Sequence, residues 1–298
     1  MNLGNVVTAM VTPFNKEGKV DNAKLKELMD VLISRGTEAV VVGGTTGESA
    51  TLSMEEKAAL YKASVEASGG RIPVIAGTGM NDTHATAELS LQAQRDGVDG
   101  IMLVAPYYNK PSQQGLYEHF KTIAEQLTLP VMLYNVPGRT MVNMLPETTI
   151  ALSEVPNITA VKEASGNLDQ ITAVIANTPA EFKVYSGDDS LTLPAVAVGA
   201  DGIVSVSSHV IGSEMQDMIQ LYRSGRVEEA AKLHQRLVPF MQAMFIAPSP
   251  SPVKTALHMQ GIDTGGVRLP LIPLSQAERE IVEHAINEAA EISRFPSS

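Results

Sequence analysis

The chain has no cysteine and no tryptophan, and aromatic residues make up only 4% of its 298 positions. Without a thiol, disulfides, thiolate-bound zinc, iron–sulfur clusters and cysteine nucleophiles are all excluded. Long apolar runs are missing too. The N-terminal MNLGNVVTAMVTPF carries no basic segment ahead of a hydrophobic stretch. No segment approaches the roughly 18 residues that a membrane span needs. Basic residues are scarce, 22 against 33 acidic, for a formal charge of −11. That balance disfavours nucleic acid and anionic membranes as partners. The expectation is a soluble, cytoplasmic protein with no signal peptide and no nucleic-acid or membrane partner.

What is present has the rhythm of alternating strands and helices. Short, β-branched apolar runs occur at 6–14, 39–43, 72–77, 100–105, 130–134, 158–161, 182–185 and 202–206. They are nearly continuous rather than alternating, as strands of a parallel sheet covered on both faces should be. Between them lie helical patterns with readable starts. Asp21 precedes a stripe of Leu25, Leu28, Met29 and Leu32 that stops at Gly36, and Ser53 with Glu56 makes a capping box. Asp82 or Thr83, and then Ser112, suit two further N-termini, and Pro146 suits a first turn. The patterns at 168–176 and 191–198 complete the series.

Eight repeats at this length predict an α/β fold, a closed (β/α)8 barrel, with a doubly wound open sheet as the weaker alternative. Beyond about residue 212 the strand signal stops, and 214–224, 227–245, 253–260 and 276–292 read as helices. The three prolines of 247–252 predict a turn or extended link. The expected division is a barrel over 1–224 and a C-terminal helical extension over 225–298, fraying at 295–298.

In a parallel barrel the active site gathers at the C-terminal ends of the strands. Those ends read GGTTGES (43–49), APYYNKPS (105–112), YNVPGRT (134–140), KEASG (162–166) and SGDD (186–189). Lys162 is the unusual residue: a lysine closing an apolar strand, with Ile158 and Ala160 expected on its face. Desolvation disfavours an ammonium, and the neutral amine is a nucleophile toward carbonyls. Position alone leaves open a lysine that snorkels to water or pairs with Glu163. Lys183 opens its strand and so sits at the wrong end. Tyr134 with Arg139 offers a phenol to relay protons and a guanidinium to hold a carboxylate, or simply a packed ring and a surface charge. The Gly/Thr-rich 43–49 loop lacks the P-loop lysine, and Gly77-x-Gly79 lacks the third glycine of a dinucleotide loop. The six histidines show no metal-ligand spacing, and Asp188-Asp189 suits a turn or cap. No Ser-His-Asp pattern is evident.

Taken together and in order, GGTTGES, APYYNKPS, YNVPGRT and VKEASG resemble the pyruvate-dependent, Schiff-base class I aldolase superfamily. Within it the chain resembles the dihydrodipicolinate synthase family of bacterial lysine biosynthesis, over essentially its whole length. The resemblance implies that Lys162 forms an imine with pyruvate and that its enamine attacks L-aspartate 4-semialdehyde. Tyr134 would transfer protons through Thr45 to a tyrosine of a neighbouring subunit, matched here by Tyr108. Thr45 and Thr46 would hold the pyruvate carboxylate and Arg139 that of the semialdehyde, with Gly187 and Val204 shaping the pocket. It implies no metal or organic cofactor, and a homotetramer built as a dimer of dimers.

Lysine-inhibited members carry His and Glu side chains in an interface pocket, where this chain has Met54, Lys57 and Ala85. Ser49, Asn81 and Tyr107 of that pocket are kept. A cation facing lysine's ammonium groups predicts weak or absent feedback inhibition. The rival within the superfamily is an N-acetylneuraminate lyase or keto-deoxy-sugar aldolase, against which the Thr45–Thr46 pair and Arg139 favour a compact, carboxylate-bearing aldehyde. A non-catalytic sensor on a barrel would not need a desolvated amine, and a metal-dependent barrel hydrolase would need a ligand set.

Overall fold

The computed structural model describes residue 1 and residues 3–294. The expected fraying at 295–298 lies outside them. Eight strands form one closed, all-parallel barrel in sequence order: β1 (Val6–Ala9), β2 (Ala39–Val42), β3 (Val74–Gly77), β4 (Gly100–Val104), β5 (Val131–Asn135), β6 (Ile158–Glu163), β7 (Lys183–Ser186) and β8 (Gly202–Ser205), with β8 pairing back to β1. The helices on its outside are α1 (Asn22–Ser34), α2 (Met54–Ser68), α3 (Thr83–Arg95), α4 (Gln113–Ala124), α5 (Pro137–Thr140), α6 (Pro146–Ser153), α7 (Leu168–Asn177), α8 (Thr192–Ala197) and α9 (Ser208–Arg223). Three more follow: α10 (Val227–Ala243), α11 (Ser251–Met259) and α12 (Gln276–Arg294).

The helix starts follow local chemistry. Asp21 accepts the amides of Ala23 and Lys24, Asp82 that of Ala85 and Ser112 that of Gly115, while Ser53 and Glu56 complete the capping box. Each satisfies donors that a helix end leaves without an intrahelical partner. Every strand sends at least one side chain into the barrel core, among them Val7, Val41, Ile75, Met102, Met132, Ala160, Tyr185 and Val204. A second and larger core lies between sheet and helices, including the Leu25, Leu28, Met29 and Leu32 stripe of α1. The strands are buried on both faces, which is why they read as unbroken apolar runs.

Several details depart from the sequence expectation. Ile158 does not share the inward face with Lys162. Val131 pairs with Ile158 but the next residue, Met132, pairs with Ala160, so Thr159 is an extra residue in β6. This bulge turns Ile158 outward to the helix-side core, while Ala160 stays inside. The 6–14 run is a strand only to Ala9, and 191–198 divides into a 3-10 turn, Asp189–Leu191, followed by α8. The helix after β8 begins at Ser208 rather than 214, with a kink at Ile211. Pro252 lies in the first turn of α11 rather than in a link, where its missing N–H costs no helical bond. The short helix α5 was hidden inside YNVPGRT, which reads as a loop by composition.

Candidate active site

The register of the strands brings the candidate residues together. Val104 pairs with Tyr134, Tyr134 with Lys162, and Lys162 with Tyr185. Neighbours in a parallel register share a level and a face, so Tyr134 and Lys162 stand side by side inside the barrel mouth. Lys162 is 5% exposed, and its Nζ lies 4.3 Å from the centre of the Tyr134 ring. Neither the amine nor the Tyr134 hydroxyl has a hydrogen-bond partner among the described residues. Gly187, just past β7, packs against the lysine stem: a Cβ there would come within 2.9 Å of Lys162 Cε and 2.7 Å of the Ala164 Cβ. A side chain at 187 would displace the amine.

The two bland readings of Lys162 fail on geometry. It does not reach bulk water, and Glu163 points the opposite way. The Glu163 carboxylate is buried on the outer face of β6 and accepts from Asn135 Nδ2 at 3.1 Å, the Ser165 amide at 2.8 Å and Gln170 Nε2 at 3.0 Å. Burial pushes its pKa up, and those donors oppose the shift. Lys183 sits at the start of β7, paired with Asp201 at 3.0 Å.

Above Tyr134 opens a cavity of about 410 Å³. Tyr134 forms part of its wall, together with Thr45 and Arg139 and the apolar Met102, Val104 and Val136. Arg139 projects from α5, whose Pro137 supplies a helix-ready backbone at the first turn. Thr45 stands at the exposed tip of a tight loop. Gly43 opens that loop with φ +63 and packs against the Tyr61 ring, so a side chain there would be both strained and obstructed.

The remaining candidates lie elsewhere. Thr46 is buried beside Thr45 and is not part of the cavity wall. Val204 belongs to the barrel core below. Tyr108 is 88% exposed, with φ +77, and stands outside the cavity of its own chain, whereas Tyr107 lines it. Asp188 caps the 3-10 turn, and Asp189 accepts the amides of Val206 and Ser207 at 3.2 and 2.8 Å. Among the described residues no three His, Asp or Glu side chains gather as a metal site.

Sequence reading missed Glu48 and the C-terminal Ser249, Pro270 and Leu271, all of which border the cavity. The three C-terminal residues come from segments with no periodicity, and a search confined to strand ends cannot find them.

A closed parallel barrel that keeps a buried amine beside a phenol at the ends of β5 and β6, under a cavity with a threonine and an arginine in its wall, belongs to the class of barrels suited to imine chemistry on small carboxylates. Residues 2–289 match the model of the Dihydrodipicolinate synthetase family. The chain is a member of that family. It is 58% identical to the 4-hydroxy-tetrahydrodipicolinate synthase of Bacillus velezensis, over 97% of this chain and 100% of the relative. The corresponding enzyme of Bacillus subtilis is 56% identical, again over 97% and 100%. The crystal structure of a dihydrodipicolinate synthase from Bacillus anthracis superposes with a TM-score of 0.95 at 56% identity, covering 96% of this chain and 98% of that one. The synthase from Cyanidioschyzon merolae, solved with lysine bound, gives a TM-score of 0.95 at 43% identity over 97% and 98%.

Proposed function

We infer that the chain condenses pyruvate with L-aspartate 4-semialdehyde to 4-hydroxy-tetrahydrodipicolinate, as a lyase of lysine and diaminopimelate biosynthesis. Its curated relatives carry that activity in their names at 58% and 56% identity over 97% of the chain. The observation that carries the mechanism is the unpaired Lys162 amine stacked on Tyr134 beneath the cavity. The amine adds to the keto carbon of pyruvate, and water leaves to give an imine. Loss of a methyl proton then gives an enamine, with the iminium nitrogen taking up the electron pair. The enamine carbon attacks the aldehyde. The amino group of the semialdehyde next adds to the imine carbon, closing the ring and releasing Lys162.

Each step moves a proton at the barrel mouth. Tyr134 carries it, relayed through Thr45 to Tyr108 of a neighbouring subunit. Thr45 and Thr46 hold the pyruvate carboxylate, Arg139 takes that of the semialdehyde, and Gly187 and Val204 shape the floor. The net charge of −11 does not oppose this, because a few local donors rather than the global field grip the carboxylates.

Tyr108 supports an assembly in which subunits complete one another's sites, and we propose a homotetramer made of two such dimers. Its exposure, 88% for an aromatic side chain, fits a residue covered by a neighbouring subunit. A monomer shown by analytical ultracentrifugation to be fully active would overturn this. The catalytic barrel is taken as 1–224, with the helical appendix 225–298 closing one side of the cavity through Ser249, Pro270 and Leu271. A cytoplasmic location follows from the biosynthetic role; among the described residues no helix is long and apolar enough to cross a membrane.

Whereas the Cyanidioschyzon merolae enzyme was solved with lysine bound, this chain places Lys57 in the cavity wall, buried and without an ion-pair partner among the described residues, together with Ser49. Met54 and Ala85, where lysine-inhibited members carry His and Glu, offer no carboxylate to an ammonium group. Lysine at physiological concentration is therefore expected to inhibit turnover weakly or not at all, which a coupled assay reads directly. Borohydride reduction in the presence of pyruvate, followed by mass mapping, tests the central reading: labelling at Lys162 is expected, and its absence there overturns the mechanism. Comparison of aspartate semialdehyde with N-acetylmannosamine then decides the acceptor.

A further inference from the structure

Glu48 has no step in the reaction above, yet it is among the most enclosed charges in the molecule. Its side chain is 0% exposed and that of its partner Lys254, on α11, 3%. Lys254 Nζ donates to Glu48 Oε1 at 2.8 Å and to the Gly266 carbonyl at 2.8 Å. The Arg268 backbone N–H donates to Glu48 Oε2 at 2.9 Å, so both carboxylate oxygens are engaged. The Phe14 ring stacks against both cations, with Lys254 Nζ at 4.3 Å and the Arg268 guanidinium carbon at 4.4 Å. Arg268 also bridges to Glu56 on α2 at 2.5 Å and to the carbonyls of Gly18 and Thr51.

This cluster converges on the loop that carries the threonines. Glu48 has φ +57, a left-handed backbone disfavoured for any residue with a Cβ, and such geometry persists where its surroundings over-determine it. From that position its N–H donates to the Thr45 carbonyl at 3.0 Å, and the next amide, Ser49, donates to the Gly44 carbonyl at 3.2 Å. The Thr12 hydroxyl donates to the Gly47 carbonyl at 2.6 Å. Burying an ion pair is a weak source of stability, since desolvation offsets most of the attraction. What a fully bonded buried pair does provide is one defined geometry.

We propose that Glu48 is a positioning residue for the carboxylate site, held by Lys254 and Arg268 of the C-terminal appendix so that the Thr45 loop meets the substrate at one height. The appendix thus sets the grip on pyruvate without reaching Lys162. This rests on the reading that Thr45 holds a carboxylate.

The test separates positioning from stability. Glu48→Gln and Lys254→Met each leave a buried partner uncompensated and lower the melting temperature, whereas the double variant removes both charges and recovers most of it. Two further readouts apply to all three: the pyruvate concentration for half-maximal borohydride trapping at Lys162, and amide hydrogen exchange over 44–51. Half-saturation is expected to rise about tenfold or more, the equivalent of one lost hydrogen bond to a charged group. It should stay raised in the double variant despite its recovered melting temperature, with faster exchange across the loop. Half-saturation that returns to the wild-type value along with the melting temperature would reduce the cluster to a stability element and overturn the proposal. A wild-type chain that pyruvate does not trap would sink the substrate reading instead. Exchange over 44–51 would then decide the clamp by itself, unchanged rates in the double variant ruling it out.

Discussion

Tyr134 and Lys162 face into the barrel, while Asn135 and Glu163, one residue further along the same two strands, face out of it. Inside, the amine lies over the phenol ring, which lines the cavity, and neither group makes a hydrogen bond among the described residues. Outside, the carboxylate accepts from three groups, and Asn135 in turn reaches Asn143 at 2.7 Å and receives the Met144 amide at 2.9 Å. The strand period of two separates the pair proposed to react from a hydrogen-bonded network at almost no distance in sequence. An unpaired buried polar group is costly and a paired one is rigid, so the outer network can hold the strand ends while the inner pair stays available.

The sharpest way to break this contrast is on the inner face. Lys162→Ala is expected to bring turnover down to background and to end borohydride labelling, while Lys183→Ala, at the far end of its strand, leaves both near wild type. Steady-state assays and mass mapping of the two variants decide this. Tyr134→Phe keeps the ring under the amine and removes only the hydroxyl. Turnover should drop by about 10²–10⁴, the usual contribution of a positioned acid–base group, with trapping at Lys162 slowed rather than lost.

On the outer face the effect should shift from rate to stability. Glu163→Gln puts an amide NH2 against donors that now find an acceptor, and should cost about 1–3 kcal/mol of unfolding free energy. Denaturant titration reads this; a loss of turnover as deep as that of Tyr134→Phe, without a loss of stability, would erase the distinction between the faces.

The gentlest test uses another fully bonded group, His209. Its Nε2 accepts the Val11 amide at 3.1 Å, which leaves the proton on Nδ1 to donate to the Val206 carbonyl at 2.8 Å. Burial holds its pKa down to about 4 from 6.5. Between those two values the unfolded chain binds the proton and the folded one does not. Stability is therefore intact above about pH 6.5 and is lost as pH falls toward 4, by up to about 3 kcal/mol. His209→Gln should reduce that slope in thermal scans across the window, leaving the part carried by His119, which burial also holds down to about 4, and should keep the borohydride labelling at neutral pH intact.

Much of this was written locally. The alternation of apolar runs and capped helices specifies the barrel, because strand burial and helix capping depend on residues a few positions apart. Lys162 and Tyr134 stood out for the same reason, as a charge and a phenol near the ends of apolar strands, and Arg139 as the charge in the segment that follows Tyr134. The bulge at Thr159 was not legible, because it is a matter of register between β5 and β6 and leaves no mark in the composition of either. Nor was the true setting of Glu163, which adjacency suggests as the partner of Lys162 and alternation places on the other face. The C-terminal helices were readable as helices, but the links between them were not readable as a wall of the cavity.

The sequence by itself therefore determined the order of elements, the end of the barrel where the cavity opens, and the buried amine proposed to act there. Tertiary structure alone decided what surrounds that amine. It gave the Gly187 surface under the lysine stem, set the carboxylate of Glu163 aside, and joined Glu48 to Lys254 across 206 residues of chain. The reason is physical: periodicity and capping are local interactions that a short window contains, whereas these contacts exist only once the barrel has closed and brought distant segments to the same mouth.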